Sequence, residues 1–189
     1  MSVEMIDKTR LLAVILVILM WFSPAYAREA EIRDVLVTHQ GDAITVYARV
    51  TNCFTKGMES AIMAGVPTTF TFLLDLNWER NFWFDKRVVG SVIRQTIKYD
   101  SVKKLFFVSA ADGRGATAFQ DIESAKRAMA EITGTLVIPR NVDKRQRPFY
   151  VMIKAKLDKV RLPLYMEYVF FFVSLWDFET DWYRQEVAF

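Results

Sequence analysis

Cysteine and histidine are almost missing from this sequence, and each shortage excludes a class of site. Cys53 is the single cysteine among 189 residues, which excludes an internal disulfide and any zinc or iron–sulfur site that needs several cysteines. His39 is the single histidine. It lies beside a turn predicted at Gly41 and Asp42, so we interpret it as an exposed hairpin residue rather than part of a catalytic triad.

The sequence also lacks a strong charge of one sign. Its formal net charge is +3, and acidic and basic residues alternate along most of the chain. Nucleic acid is therefore not an expected partner. What is present is apolar: 52% of the residues are hydrophobic and 14% are aromatic, which excludes general disorder. A chain of this length fits one domain with a substantial core.

An apolar run near the N-terminus, LLAVILVILMWF over residues 11–22, follows two basic residues. Small side chains at Ala25 and Ala27 provide an A-x-A site directly after it. This order predicts an export signal over residues 1–27 that is cleaved before Arg28. The remainder of the chain is then expected as a single β-rich domain in the bacterial periplasm.

An alternative for this leader is an uncleaved anchor in the inner membrane. The apolar run is shorter than the roughly 20 residues that cross a bilayer, but Glu4 and Asp7 weaken the positive charge that a cleaved signal normally has at its start. No cysteine stands directly after the leader, which excludes a standard lipoprotein anchor. Both interpretations place the domain outside the cytoplasm.

Alternation of apolar and polar residues predicts about eight strands after the leader. The first two form a hairpin around Gly41 and Asp42. The last predicted strand is apolar throughout and is expected to lie in the centre of a sheet. The predicted strands are residues 32–37, 44–50, 69–76, 92–99, 105–109, 135–138, 149–157 and 168–175.

Two short helices are predicted in the connections between strands. The first covers residues 55–64 and is closed by Gly65 and Pro67. The second covers residues 121–133, begins at Asp121 as N-cap and ends at Gly134. Many strands with few helices predict a mainly β protein, an antiparallel sandwich of the immunoglobulin-like kind, with an open α+β fold as the alternative.

An aromatic cluster between two predicted strands is the first candidate for a binding surface. It consists of Trp78, Phe82, Trp83 and Phe84, with charged residues between them. Exposed, such a hairpin tip would contact a partner protein or a membrane interface. Buried, the same side chains would belong to the core, which is the usual place of aromatic residues that flank strands in sandwiches.

A basic loop is the second candidate. It contains Arg140, Lys144, Arg145 and Arg147, and basic residues continue beyond it along residues 154–161. Anionic lipid headgroups or an acidic protein could bind there. A solvated loop with no partner is the alternative.

Carboxylates near the C-terminus are the third candidate. Asp177, Glu179 and Asp181 alternate with aromatic residues, so an extended chain would place them on one face, opposite Phe178 and Trp182. They could bind a metal ion or act as an acid and base in hydrolysis, although a straight strand spreads them about 7 Å apart. The alternative is charge pairing with lysines on the strand over residues 149–157.

Several short stretches of the sequence carry a resemblance to a known bacterial family. They are the leader, Ala64–Pro67, Phe70–Phe72, Tyr99–Asp100, Ser124–Ala125, Arg161–Leu164 and Trp176–Tyr183. On these residues, the chain resembles the domain of unknown function 4390 over nearly all of the part that follows the leader. The resemblance implies no activity and no catalytic residue. The family's genes stand beside a sensor kinase of the nitrogen-regulation type in many proteobacteria, which implies an accessory to a membrane sensor.

No residue pattern indicates a catalytic device or a cofactor, so we expect a non-catalytic protein without cofactors. The first hypothesis is a periplasmic accessory module that binds an envelope or inner-membrane protein through the aromatic cluster or the basic loop. A lipid or small-ligand binding protein that contacts the membrane surface is the second. A hydrolase that uses the C-terminal carboxylates is the third.

Overall fold

The structure is a computed structural model that describes residues 29–80, 84–111, 115–139, 148–158 and 178–187. Several predictions fall outside these ranges. They include the leader with its cleavage site Ala25, Ala27 and Arg28, the basic loop over residues 140–147, and the apolar strand predicted over residues 168–175. No helix in the described ranges is long and apolar enough to cross a membrane.

Nine strands and two helices make up the described part of the chain. Most of them follow the alternation or the helical spacing of their apolar residues, and the predicted hairpin and the strand over residues 149–157 are confirmed. The elements are β1 Glu31–Gln40, β2 Ala43–Thr51, α1 Lys56–Met63, β3 Thr68–Trp78, β4 Lys86–Asp100, β5 Leu105–Ala110, β6 Ala116–Phe119, α2 Ile122–Ala130, β7 Glu131–Val137, β8 Phe149–Leu157 and β9 Tyr183–Val187.

The strands form two sheets that share one core. The smaller sheet has the order β1-β2-β7 and the larger sheet has the order β6-β5-β4-β3-β8-β9. Every pairing between neighbouring strands is antiparallel. The mainly β, antiparallel two-sheet architecture is therefore confirmed, with both helices in connections. It is consistent with the immunoglobulin-like arrangement, which stays a prediction.

The core lies between the inward faces of the two sheets, where alternate residues of each strand are buried. Phe70 is at its centre and is fully buried. Its ring centroid lies 4.8 Å from that of Phe178, 5.1 Å from that of Phe54 and 6.4 Å from that of Phe72. These tilted and edge-on contacts are the geometry in which aromatic rings attract one another.

Helix α1 follows directly from its local sequence. The Thr55 side chain accepts a hydrogen bond from the backbone N–H of Met58 at 3.2 Å, which caps the first turn. Gly65 then leaves the helix with φ of 85°, a conformation that favours glycine. Just before the helix, Cys53 is 4% exposed, and burial raises the pKa of its thiol to about 12.

The predicted end of the second helix is wrong. Helix α2 begins as expected at the N-cap Asp121, but it ends at Ala130, and β7 begins at the next residue. Ile132 fits the helical stripe and also the alternation of a strand, so periodicity alone could not separate the two. Gly134 does not stop a helix. It lies inside β7, where a Cβ atom would come within 2.3 Å of Leu74 Cδ1 and 2.5 Å of Ile93 Cδ1.

The strand directions place the connections at two opposite ends of the sandwich. One end carries the β1–β2 turn, the β3–β4 connection, the start of β8 and the last residues of β9. The other end carries Glu29, helix α1, the β4–β5 turn and the end of β8. Strand β3 alone separates the two ends by about 35 Å.

Candidate functional site

The aromatic cluster is partly core and partly surface. Trp78 ends β3, is partly buried and packs against Phe149, with ring centroids 6.3 Å apart. Phe84 is 94% exposed, so the core interpretation is wrong for this residue. The predicted members Phe82 and Trp83 lie outside the described residues. The hairpin tip therefore combines an anchored indole ring with an exposed phenyl ring.

Two cations lie over the indole ring of Trp78. The guanidinium carbon of Arg80 is 5.9 Å from its centroid, and Lys86 Nζ is 5.3 Å from it. Both cationic residues are exposed. A cation within about 6 Å of an aromatic face is attracted by the negative charge on that face. The surface around the tip is therefore aromatic and positively charged.

Hydrogen bonds hold the β3–β4 connection in place. Asp85 accepts a hydrogen bond from the backbone N–H of Arg80 at 3.1 Å and one from the Tyr150 hydroxyl at 2.5 Å. These hydrogen bonds lower the pKa of Asp85. The guanidinium of Arg184 in β9 stacks on the Tyr150 ring, 3.9 Å from its centroid, and pairs with Glu79 at 3.3 Å. Strands β8 and β9 thereby anchor the residues on both sides of the tip.

The Tyr150 phenol provides a test of this anchoring. Burial, followed by the hydrogen bond to Asp85 and its negative charge, raises the pKa of Tyr150 from 10.0 to about 12. Because the folded protein binds this proton more tightly than the unfolded chain, the associated stability is fully present below pH 10 and is lost as pH rises to about 12. A difference titration of phenolate absorbance, wild type minus Tyr150→Phe, should give a midpoint near pH 12.

The control variant is Asp85→Asn, which removes the negative charge next to Tyr150. In this variant, the phenolate midpoint should fall towards the ordinary value. An unchanged midpoint in Asp85→Asn, or a wild-type midpoint near pH 10, would contradict the described contact.

The residue that follows the predicted basic loop in the sequence lies beside Trp78. The basic loop itself, with Arg140, Lys144, Arg145 and Arg147, lies outside the described residues. Pro148 accepts a hydrogen bond at 3.1 Å from the backbone N–H of Glu79, directly after Trp78. Pro148 is therefore at the same end of the sandwich as the aromatic tip.

At the opposite end, the chain near the C-terminus is not extended throughout, as the placement of its carboxylates on one face assumed. Phe178 points into the core, and Glu179 forms an isolated bridge with Lys156. Thr180 is 3% exposed, and its hydroxyl accepts a hydrogen bond from the backbone N–H of Ala155. The next strand begins only at residue 183.

The prediction that Trp182 and Phe178 share one face is also wrong, because the chain between them is irregular. The Trp182 ring lies 5.6 Å from Lys154 Nζ, on the outward side of β8, and is 40% exposed. The period of two that the prediction assumed holds only within a regular strand, and residues between Glu179 and Tyr183 are irregular.

The predicted pairing of C-terminal carboxylates with lysines of β8 is confirmed for Glu179, which forms an ion pair with Lys154. The hydrogen bond and the positive charge of Lys154 lower the pKa of Glu179. A general acid in hydrolysis needs a raised pKa instead. The pair is therefore poorly suited to donate a proton at neutral pH.

A shallow groove of about 340 Å³ beside the first residues of β1 is lined by several carboxylates. Glu29, Glu31 and Asp181 lie along it together with Glu179. Glu31 already pairs with Arg33 at 2.7 Å. In the described ranges, no group of three or more metal-ligating side chains comes together, and Asp177 lies outside these ranges.

Replacing Glu179 by glutamine should leave the thermal unfolding midpoint essentially unchanged, because its side chain is 54% exposed and exposed pairs contribute little. NMR titration should give a Glu179 pKa below the ordinary value, and Lys154→Met should return it to that value. A large loss of thermal stability in Glu179→Gln, or stabilisation of the wild type by calcium that this variant loses, would contradict simple charge pairing.

Sequence reasoning identified Trp78 and Phe84 but missed the residues that hold them. Tyr150 was placed on β8 without a role, and Asp85 and Arg184 were not connected with each other. Their link depends on the pairing of β8 with both β3 and β9. No local pattern in the sequence carries that information, because the pairing joins segments far apart along the chain.

Comparison with known proteins gives one match. The family described as Domain of unknown function (DUF4390) matches residues 27–186. No curated protein and no solved structure matches the chain. Since the matched residues cover most of the sequence, this chain belongs to the DUF4390 family.

Proposed function

We propose that this chain is a non-catalytic accessory module of the bacterial envelope that binds a membrane or envelope protein through its aromatic tip. The observation that carries the proposal is Phe84, whose side chain is 94% exposed at the end of a hairpin. A large aromatic ring gains most of its burial free energy only when a partner covers it. Phe84 therefore offers an apolar surface that a partner would cover.

The anchoring of the tip supports a binding role. Asp85, the residue directly after Phe84, is tied to Arg80 and Tyr150 by hydrogen bonds. A ring next to a fixed backbone loses less conformational freedom on binding than a ring on a loose loop. The same surface carries the cations over Trp78, so it favours a partner with apolar and acidic groups.

The location in the periplasm is part of the proposal and rests on the leader over residues 1–27. A membrane sensor kinase is the partner that the family resemblance suggests. Neither the location nor the partner is needed for the chemistry of the tip itself, so each can be tested separately.

The test replaces Phe84 by a photocrosslinking amino acid in the full chain and irradiates living cells of the source bacterium. Val102 is the matched control, because it is 92% exposed and lies at the opposite end of β4. We expect one discrete adduct with an envelope protein from position 84 and none from position 102. No adduct at position 84, or equal adducts at both positions, would contradict the proposal.

A liposome arm distinguishes the lipid-binding alternative. The purified full chain is mixed with vesicles that contain anionic lipid, with and without the substitution Phe84→Ala. Vesicle binding that depends on Phe84 and falls with added salt would favour a membrane surface over a protein partner.

A further inference from the structure

One edge of the smaller sheet carries backbone groups that no strand in the described ranges uses. In the smaller sheet, β7 pairs with β2 on one side, and no other strand in the described ranges pairs with its second side. Ile138 donates its backbone N–H to Asp42 on the β2 side at 2.8 Å. From the opposite side, the amide of Gln95 donates to the carbonyl of Glu131 at 3.0 Å. The edge facing Gln95 is therefore the open one.

The direction of the remaining backbone groups follows from these two hydrogen bonds. Along a strand, the N–H and C=O groups of alternate residues point to opposite sides. Glu131 directs its carbonyl to the open side, so Thr133 and Thr135 direct their N–H and C=O groups to the same side. Among the described residues, the N–H and C=O groups of Thr133 and Thr135 form no backbone hydrogen bond on that side.

A groove of about 500 Å³ runs along this open edge. Residues 133–135 of β7 form one wall, and residues 91–94 of β4 form the other. A second hollow of about 320 Å³ continues the groove from Thr133 to Glu131. Together they extend over about 17 Å of β7, which is the length of a five-residue strand.

The floor of the second hollow holds an unused acceptor. Gln95 uses its amide nitrogen to bind Glu131, whereas its Oε1 atom is buried without a hydrogen-bond partner among the described residues. Buried polar atoms are normally paired, because leaving one unpaired costs free energy. A donor brought into the groove would relieve this cost.

The edge of β7 also lacks the features that normally protect an edge strand from pairing. From Ile132 to Val137 it has no charged residue, no proline and no bulge. The other edges are different. β1 has a bulge with Asp34 at φ of 54°, β6 has only 4 residues, and β9 carries charged side chains.

We propose that the groove binds an extended, uncharged peptide segment of a partner protein, which adds to the smaller sheet as a strand beside β7. The backbone of Thr133 and Thr135 would pair with the peptide, as in other cases of strand addition. An added strand would lie about 5 Å from β7 in the plane of the smaller sheet. The uncharged edge from Ile132 to Val137 and the unpaired Gln95 Oε1 atom favour an uncharged extended segment as the occupant.

This site goes beyond the proposed function and is independent of the aromatic tip. Its test uses the immobilised full chain and a pool of random seven-residue peptides. We expect the enriched peptides to be uncharged and rich in β-branched residues. On saturation with such a peptide, hydrogen exchange at the amides of Thr133 and Thr135 should slow by roughly tenfold or more. Enriched peptides that protect another region, or no enrichment at all, would overturn the proposal.

Two variants separate backbone pairing from side-chain contact. Thr135→Pro removes the N–H that points into the groove and should weaken peptide binding roughly tenfold, the effect of one lost hydrogen bond. Thr135→Ala keeps that N–H and should bind the peptide like the wild type. Equal loss in both variants would contradict strand addition.

Two further controls do not depend on folding of the proline variant. Methylating alternate backbone nitrogens of the selected peptide should abolish its binding to the wild-type chain, and retained binding would overturn the proposal. Phe84→Ala should leave peptide binding unchanged, so failure at the aromatic tip and failure at this groove are distinguishable.

A dimer that Thr135→Pro dissociates would identify a second copy as the occupant instead and overturn the proposal.

Discussion

Replacing Phe70 by alanine is expected to lower the free energy of unfolding by about 4 kcal/mol, within the range for deleting a buried phenylalanine ring. Phe70 is fully buried and contacts the rings of Phe54, Phe72 and Phe178. The alanine would leave a cavity between the larger sheet, the chain before α1 and the C-terminal segment, and the three rings cannot all move to fill it. Denaturant unfolding of the full chain measures the loss.

Phe84→Ala is the matched control, because it deletes the same ring from an exposed position. Its effect should remain within about 0.5 kcal/mol. If Phe70→Ala fails to fold, Phe70→Leu offers a milder change with an expected loss of about 1.5 kcal/mol. Similar losses at positions 70 and 84 would contradict the described core.

Replacing Gly134 by valine is expected to lower the free energy of unfolding by about 3 kcal/mol, the upper part of the range for overpacking. A Cβ atom at this position would lie 2.3 Å from Leu74 Cδ1 and 2.5 Å from Ile93 Cδ1, so both neighbours would have to leave their present rotamers. Leu74 is fully buried and has little room to do so. Thermal or denaturant unfolding measures the change.

A double-mutant cycle tests the cause of this loss. Gly134→Ala is combined with Ile93→Val, which removes the Cδ1 atom that the new Cβ would meet. If the two sheets are held at this distance by contact between these groups, the double variant should be more stable than the sum of the single effects by about 1 kcal/mol. Strict additivity would contradict this explanation.

Much of the architecture could be predicted because strand alternation and helix capping are local signals. Residues 149–157 alternate without interruption, and the strand occupies that range in the structure. Asp121 was predicted as an N-cap, and its side chain accepts the expected backbone hydrogen bond. Thr55, the first residue of the other predicted helix, caps that helix in the same way. Features of this kind depend on a few neighbouring residues, so one sequence is sufficient to find them.

Features that depend on distant segments could not be predicted. Strand β6 consists of only 4 residues, too few for an alternation to mark them, and it pairs with β5. The end of α2 and the role of Gly134 depend on how closely the two sheets approach each other. The irregular chain between Glu179 and Tyr183 interrupts an alternation that looked continuous in the sequence.

The candidate site also combines features that the local sequence predicts with features that depend on distant segments. The composition around Trp78 and Phe84 marked an aromatic tip, but periodicity could not tell that one ring is anchored and the other exposed. The hydrogen bond between Asp85 and Tyr150 joins residues 65 positions apart. Such a contact follows from strand order, which the sequence left open.

Chemical labelling of the single thiol at Cys53 would report local opening of this protein. Because the thiol is 4% exposed and its pKa is raised to about 12, alkylating reagents should reach it only in molecules whose segment before α1 has opened. Every labelled molecule then records one opening event at a known position. The rate of labelling in a cell or on a membrane would measure local stability without purification, and its change on adding a partner would measure binding.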